Sequence, residues 1–175
     1  MTITARSLAS LTALGSAALI AAVLTSALPA QAAPLPPRCL TNNLETSLEH
    51  PVSQLGNAGA VLVEGNRGTA ACTIRGYPKL GLTRHGHHLR STTTDGPTYF
   101  QPDPGASVIV LAPHATATAY VGYGTVSGSG NVTASRLTVR IDGARWHHSV
   151  PLPGGPLSIT NGHLSVTAWQ MAREG

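Results

Sequence analysis

The chain has 175 residues, with 11 Lys and Arg, 7 Asp and Glu, 2 Cys, and a formal net charge of +4 at pH 7. This charge is too small to indicate nucleic-acid binding, which usually needs clustered arginines interleaved with aromatic residues, and the arginines here are scattered along the sequence. The chain is long enough for one domain to bury its own core, so a second domain is not required.

The first 32 residues have the pattern of a secretory signal peptide. The basic Arg6 precedes an apolar run at residues 8–28, and Ala30-Gln31-Ala32 places small residues at the two positions that a signal peptidase reads. We therefore expect cleavage after Ala32, a secreted product and no membrane contact after cleavage. An uncleaved anchor is the alternative, because about 20 apolar residues can span a bilayer.

The segment after the signal peptide divides into a lead-in, one domain and a short tail. Residues 33–38 contain three prolines, which predict an extended segment. The domain is expected at residues 39–170, and residues 171–175 form the tail. Residues 41–50 are compatible with either a helical turn or a first strand.

The domain itself shows the pattern of an all-β fold. Leu137, Val139 and Ile141 alternate with polar residues, the period of two that is typical of a strand with one buried face. Similar short runs, each bounded by Gly, Pro, Asn or Asp, predict nine strands, a number typical of an antiparallel β-sandwich. The predicted strands are residues 60–64, 71–75, 79–83, 88–92, 107–112, 116–123, 135–141, 146–150 and 163–169.

The turns between these runs contain residues that tolerate positive φ. Asp142-Gly143 and Asn161-Gly162 each predict a tight hairpin, and residues 84–87 predict a further turn. Residues 122–131 are mostly Gly and Ser, so we expect a flexible loop that separates the two halves of the sandwich. Tyr99-Phe100 lies between prolines and indicates either a loop that closes one end of the sandwich or an exposed loop that binds sugar or peptide.

Cys39 and Cys72 are the only cysteines, and export to an oxidising compartment favours a disulfide between them. Closing this loop removes about 3.8 kcal/mol of unfolded-state entropy in the chain-entropy model. A catalytic thiol is the less favoured alternative, because it requires an unpaired cysteine with a histidine partner.

Residues 66–78 carry the most specific motif in the chain. They contain an Asn66-x-Gly68 turn, then Cys72, then Gly76-Tyr77-Pro78 before a strand. This motif resembles domain of unknown function 4232, a family of exported actinobacterial proteins, and the similarity extends from about residue 38 to residue 169, with Cys39 as the opening cysteine. The resemblance implies an immunoglobulin-like β-sandwich outside the cytoplasm, and it implies no activity.

The residues of this motif suit a structural role. Asn66 and Gly68 permit a tight turn, Gly76 can adopt φ values that other residues avoid, and Pro78 prevents a helix from continuing.

The chain also departs from the family at several positions. Many members have a second cysteine pair, but here Asn161 occupies one expected position and residues 130–133 lack the partner. His114 replaces the usual glycine after a strand boundary, which leaves the type of turn there open.

Histidine is the one residue type that suggests metal chemistry. His85, His87 and His88 lie in one turn, and His114 or His147 could supply a further ligand for zinc or copper. No Cys or carboxylate stands at ligand spacing nearby, however, so a structural role is favoured and no cofactor is expected.

The evidence for catalysis is also weak. The seven carboxylates lie mostly at predicted turns, and the chain lacks a Gly-x-Ser-x-Gly elbow, a His-Glu-x-x-His motif and a phosphate-binding glycine loop. We therefore expect a non-catalytic secreted module that binds a partner or has a structural role at the bacterial cell envelope or outside the cell. A metal-binding protein that uses the histidine-rich turn is the alternative, and an unrecognised hydrolase is the third possibility.

Overall fold

The structure is a computed structural model that describes residues 34–145 and 147–172. The predicted signal peptide lies outside the described residues. The residues described from Pro34 onward form one compact unit. They contain short 3-10 turns at Thr41–Asn43 and Thr160–Gly162 and these strands: β1 (Leu44–Gln54), β2 (Asn57–Asn66), β3 (Cys72–Arg75), β4 (Lys79–Arg84), β5 (His87–Leu89), β6 (Thr92–Asp95), β7 (Val108–Leu111), β8 (Thr116–Gly124), β9 (Val132–Ala134), β10 (Arg136–Arg140), β11 (His148–Pro151), β12 (Leu157–Ile159), β13 (His163–Val166) and β14 (Gln170–Met171).

The strands form a large sheet, a small sheet and two two-stranded ladders. The large sheet has the order β1-β2-β8-β13-β6, and β14 also pairs with β8. The small sheet has the order β11-β10-β4-β5, while β3 pairs with β7 and β9 pairs with β12. All these pairings are antiparallel except that of β13 with β6. The predicted all-β sandwich is confirmed.

The core is built from the side chains that point inward from the strands. In β10, Leu137 and Val139 are buried while Arg136 and Arg140 are exposed, and Thr138 between the two arginines is buried as well. Large apolar side chains from both sheets and from the ladders meet in one cluster. Its fully buried members include Leu62, Ile74, Leu82, Leu111, Leu137, Ile159, Leu164 and Trp169.

Most of the nine predicted strands coincide with observed ones. The segment at residues 88–92 is the exception, because it spans the end of β5, a break at residues 90–91 and the first residue of β6. Residues 41–50 resolve into a short 3-10 turn followed by β1, which is a long and mostly exposed edge strand. The short strands β9 and β12 had no predicted counterpart.

One of the two predicted hairpins is wrong. Asp142-Gly143 does lie between paired strands, β10 and β11, although the connection is longer than a tight hairpin. Asn161 and Gly162 have the positive φ values expected of a hairpin turn, 53° and 63°. They nevertheless join β12, which pairs with β9, to β13, which pairs with β8 and β6. Long-range strand pairing therefore overrides the local turn signal.

The predicted loop at residues 122–131 begins later than expected. Residues 122–124 still belong to β8, where Gly122 lies opposite Ser165 of β13. The loop that follows is held by specific hydrogen bonds, from the Thr125 amide to the Gly56 carbonyl at 2.7 Å and from the Asn131 side chain to the Val126 carbonyl at 2.9 Å.

Candidate functional site

The disulfide lies in the core beside the paired strands β3 and β7. Cys39 and Cys72 are bonded, with their Cα atoms 4.8 Å apart. The Cys39 amide also donates to the Thr73 carbonyl at 2.9 Å, so the lead-in is fixed to β3 by backbone as well as by sulfur. Both cysteines are buried and bonded, which gives them a structural role and leaves no thiol for catalysis.

Asn66 has a larger structural role than the predicted turn. Its side chain is 1% exposed, and Nδ2 lies 2.9 Å from the Ala70 carbonyl and 3.1 Å from the Leu111 carbonyl. Its Oδ1 accepts a hydrogen bond from the Gly68 amide at 2.9 Å, two residues further along the chain. The same residue therefore satisfies buried backbone groups of the turn and of the end of β7.

The Gly76-Tyr77-Pro78 segment connects the sandwich to the long loop at residues 96–107. Gly76 has a φ of 65° and its carbonyl accepts from the Trp169 amide at 3.0 Å. The Tyr77 hydroxyl donates to Asp103 at 2.6 Å, and the Ala168 amide donates to the same carboxylate at 2.8 Å.

The charge of Asp103 is stabilised by these contacts. Burial acts against ionisation, but the hydrogen bonds from Tyr77, Ala168 and Gly105 outweigh it and hold the pKa of this carboxyl below its usual value. A loop that carries this carboxylate is thereby fixed against the body of the domain.

The three histidines predicted as metal ligands lie on the β4–β5 hairpin. His85 is in the turn with a φ of 50°, and the successive residues His87 and His88 point to opposite faces of β5. His88 instead approaches His147, with ring centroids 6.0 Å apart. Within residues 34–145 and 147–172, no group of three or more His, Cys, Asp or Glu side chains is arranged to hold a metal ion.

A cavity that we call the outer groove lies on the outer face of the large sheet. It has a volume of about 510 Å³. Its floor consists of outward-facing side chains of β2 and β8, including Val61, Val63, Thr118 and Tyr120. These residues alternate with core residues such as Leu62.

The loop at residues 96–107 forms one wall of the outer groove. Phe100 packs on the sheet above Gly59, so closely that a Cβ at Gly59 would lie 3.2 Å from the Phe100 ring. Tyr99 contacts the Phe100 ring edge-on and is 56% exposed. The Tyr99-Phe100 loop therefore covers part of the outer sheet face, which corrects the expectation that it would close the end of the sandwich.

A smaller, mostly apolar cavity continues the outer groove. It has a volume of about 240 Å³ and shares His50, Val61, Gln101 and Tyr120 with the larger one. Val52 and Phe100 supply further apolar surface. The combined groove offers an apolar slot at one end and polar side chains along its rim.

The described residues that line the outer groove include two carboxylates and one histidine, His50, but no Lys or Arg. Glu49 and Asp103 line the cavity, together with Gln101 and Gln170. The Ser47 hydroxyl donates to Glu49 at 2.7 Å, and Asp103 is held by Tyr77 and Ala168.

Glu64 is a buried ionisable group that the sequence reading did not single out. It follows Leu62 on the inward side of β2 and has no exposed surface. Burial raises the pKa of Glu64 to about 7, although the hydrogen bond from Thr46 at 2.8 Å acts in the opposite direction. Its Oε2 has no hydrogen-bond partner among the described residues, and neither has Nε1 of the buried Trp169.

No arrangement typical of nucleophilic catalysis is found among the described residues. Glu64 faces the core and lines none of the cavities described above, so its raised pKa does not mark a cleft. Among the described residues, the one hydrogen bond between a hydroxyl and an imidazole joins Thr92 to His163 at 3.2 Å, on the exposed surface. No hydrogen bond in the described part of the chain links His163 to a carboxylate.

Asn161, where the resemblance leads us to expect one cysteine of a second pair, lies beside Gly130, the first residue of the segment 130–133 expected to hold its partner. A Cβ at Gly130 would collide with the Asn161 side chain. His114, where the resemblance leads us to expect glycine, has a φ of 66° and so adopts a conformation that glycine would favour.

These features define an all-β sandwich domain with one buried disulfide, a polar network centred on Asn66 and a groove on its large sheet. The chain belongs to the family described as domain of unknown function (DUF4232), whose model matches residues 39–170. Neither a curated protein nor a solved structure matches the chain. Among the residues that the structure describes, no helix is long and apolar enough to cross a membrane.

Proposed function

We propose that this chain is a secreted, non-catalytic binding module that acts at the bacterial cell envelope or outside the cell, with the outer groove as its ligand site. The groove itself is the observation that carries the proposal, because ligand sites are concave and combine apolar surface with a few convergent polar groups. The signal-peptide pattern of residues 1–32 supports the location.

The ligand that best suits the groove is an extended peptide segment with an apolar side chain. The 240 Å³ slot between Val52, Phe100 and Tyr120 would take that side chain. Gln101 and Gln170 on the rim offer both donors and acceptors to a peptide backbone, and Glu49 would attract a neighbouring basic residue. The wall that carries Phe100 is fixed by Asp103, so the groove needs little ordering when a ligand binds.

The absence of a catalytic role is part of the proposal. It is supported by the engagement of Asp103 with Tyr77 and Ala168, which leaves the one tightly held carboxylate of the groove as an anchor. Glu49 is then the one other carboxylate among the described residues that line the outer groove, whereas acid–base catalysis by carboxylates usually needs a pair that is free to act.

Selection of peptides from a displayed random library on the purified protein tests the groove. Tyr120→Ala truncates the floor, and Val110→Ala, at an exposed side chain of β7 that lines neither cavity, is the control. Selected peptides should bind the Tyr120 variant at least about tenfold more weakly, which corresponds to about 1.4 kcal/mol, and the Val110 variant within about twofold. Equal losses in the two variants, or no enrichment of peptides, would refute the ligand site.

The intact mass of the protein tests its location and processing. The full chain is expressed in a bacterial host, and the culture medium and membranes are analysed separately. The proposal expects residues 33–175 less two hydrogens in the medium. A full-length chain in the membranes contradicts secretion, and a stoichiometric zinc or copper ion would favour the metal-binding alternative.

A further inference from the structure

Basic side chains that are distant in sequence lie close together on the outer face of the small sheet. In β10, Arg136 and Arg140 point away from the buried Leu137 and Val139, and in β4 Lys79 lies directly opposite Arg140. His88 of β5 lies opposite Thr83, which in turn lies opposite Arg136. We call this surface, defined by Lys79, Arg136, Arg140 and His88, the basic face.

The charge of the basic face is not balanced within the sheet. The strands β4, β5, β10 and β11 contain no Asp or Glu. Lys79 forms an ion pair with Asp95 of β6 at 3.0 Å, but Arg136 and Arg140 have no carboxylate partner among the described residues. Arg136 and Arg140 therefore present two positive charges on one strand that no carboxylate of the described residues offsets, which favours a bound anion.

One of the arginines is held in a fixed position. The Arg136 Nε donates to the Ser149 hydroxyl at 2.8 Å, and its Nη2 donates to the Ser149 carbonyl. These two contacts leave further N–H groups of the guanidinium available to a ligand. A planar guanidinium fixed in this way suits phosphate oxygens, to which it can donate two parallel hydrogen bonds.

The spacing of the cations indicates a multivalent ligand. Arg136 and Arg140 are four residues apart on one strand, which separates them by about 13 Å. One small anion cannot bridge that distance, whereas a linear polymer can contact both arginines.

The composition of the basic face argues against a lipid surface. The exposed large hydrophobic side chains of the described chain lie elsewhere, at Leu35, Leu40, Val52, Leu55, Tyr99, Val108, Val110, Val126 and Met171. None of them belongs to the four strands of the small sheet, so this face has no apolar groups to insert among acyl chains. We propose that the basic face binds a soluble linear polyanion with repeating phosphate groups, independently of the outer groove.

Fluorescence anisotropy with labelled long-chain polyphosphate tests this inference. The protein is used as it is recovered after expression of the full chain. The double variant Arg136→Gln/Arg140→Gln removes the two unpaired arginines, and Arg67→Gln/Arg75→Gln removes the same charge from other surfaces of the domain. At 50 mM NaCl we expect the first variant to bind about tenfold more weakly and the second within about twofold. Arg140→Lys should retain most of the affinity, because it keeps the charge.

The salt dependence gives a second readout. The slope of log K against log[NaCl] should be less steep in the Arg136/Arg140 double variant than in the wild type by about two, one for each lost phosphate contact. Equal losses in the two double variants would show attraction to net charge alone and overturn the proposal. Absence of binding at 50 mM NaCl, or tighter binding to vesicles with 30% phosphatidylglycerol than to polyphosphate, would overturn it as well. Unchanged thermal midpoints confirm that each variant folds.

Discussion

Replacing Glu64 by glutamine should remove a large part of the pH dependence of this domain's stability. Glu64 has no exposed surface, and its Oε2 has no hydrogen-bond partner among the described residues. A buried carboxyl of this kind is tolerated when it is protonated and unfavourable when it is charged. Glutamine has nearly the same shape and stays neutral at every pH, so it reproduces the protonated state.

The sign of the effect follows from the two pKa values. Burial raises the pKa of Glu64 from 4.5 to about 7 in the folded protein. Below pH 4.5 both the folded and the unfolded chain keep the proton, and the contribution to stability is fully present. Between pH 4.5 and 7 only the unfolded chain releases the proton, so the free energy of unfolding falls as the pH rises. Above pH 7 both states are charged and the loss is complete.

The magnitude follows from the size of the shift. Raising the pKa of Glu64 from 4.5 to about 7 corresponds to about 3 kcal/mol between the two plateaus, because a tenfold change in proton affinity is worth about 1.4 kcal/mol. This is a large fraction of the 5–15 kcal/mol that is typical for a folded domain. Because the Thr46 hydroxyl stabilises the charged form, Thr46→Val should raise the pKa further and enlarge the difference.

Urea unfolding at a series of pH values from 4 to 8.5 provides the assay. The fluorescence of the buried Trp169 reports unfolding. Subtracting the free energy of unfolding of Glu64→Gln from that of the wild type at each pH cancels the contributions of the other titrating groups. Glu49→Gln, an exposed glutamate on β1 of the same sheet, is the control and should show no such change. If the difference in free energy of unfolding between the wild type and Glu64→Gln stays constant from pH 4.5 to 8, Glu64 is not a buried, neutral carboxyl.

Three further predictions concern stability and are tested by thermal or urea unfolding. His114→Gly should stabilise the domain by about 0.5–1 kcal/mol, because glycine adopts the positive φ at this position without strain; a loss would mean that the His114 ring makes stabilising contacts. Gly130→Cys with Asn161→Cys should form a second disulfide that adds up to about 3–4 kcal/mol, lost on reduction, and failure to oxidise would contradict the contact between these positions. Cys39→Ser with Cys72→Ser should cost about 2–4 kcal/mol, and a smaller cost would show that the backbone bond between the lead-in and β3 is sufficient.

The sandwich was predictable where one face of a strand is buried and the other is wet. The alternation of Leu137, Val139 and Ile141 locates β10 because local sequence and tertiary burial agree there. The edge strand β1 lacked that signal, since most of its side chains are exposed. Asn161-Gly162 has the local conformation of a hairpin, but strand pairing is decided by contacts far away in the sequence, which a local pattern does not contain.

The sites were less predictable than the fold. The outer groove depends on the loop that carries Phe100 and Asp103, which packs on β2 and β8 through contacts distant in sequence. The basic face depends on the register that sets Lys79 opposite Arg140. Glu64 did have a signal, because it continues the inward alternation of Ala60 and Leu62 along β2. A charged residue at an inward position of a strand is the pattern that would have found it.

Hydrogen–deuterium exchange, measured with and without a saturating selected peptide, tests the claim that the outer groove is the ligand site most directly. The proposal predicts slower exchange at residues 59–64 of β2, residues 116–120 of β8 and the loop at residues 98–104, with β4 and β10 unchanged. Protection confined to the small sheet, or no protection at saturation, would contradict it.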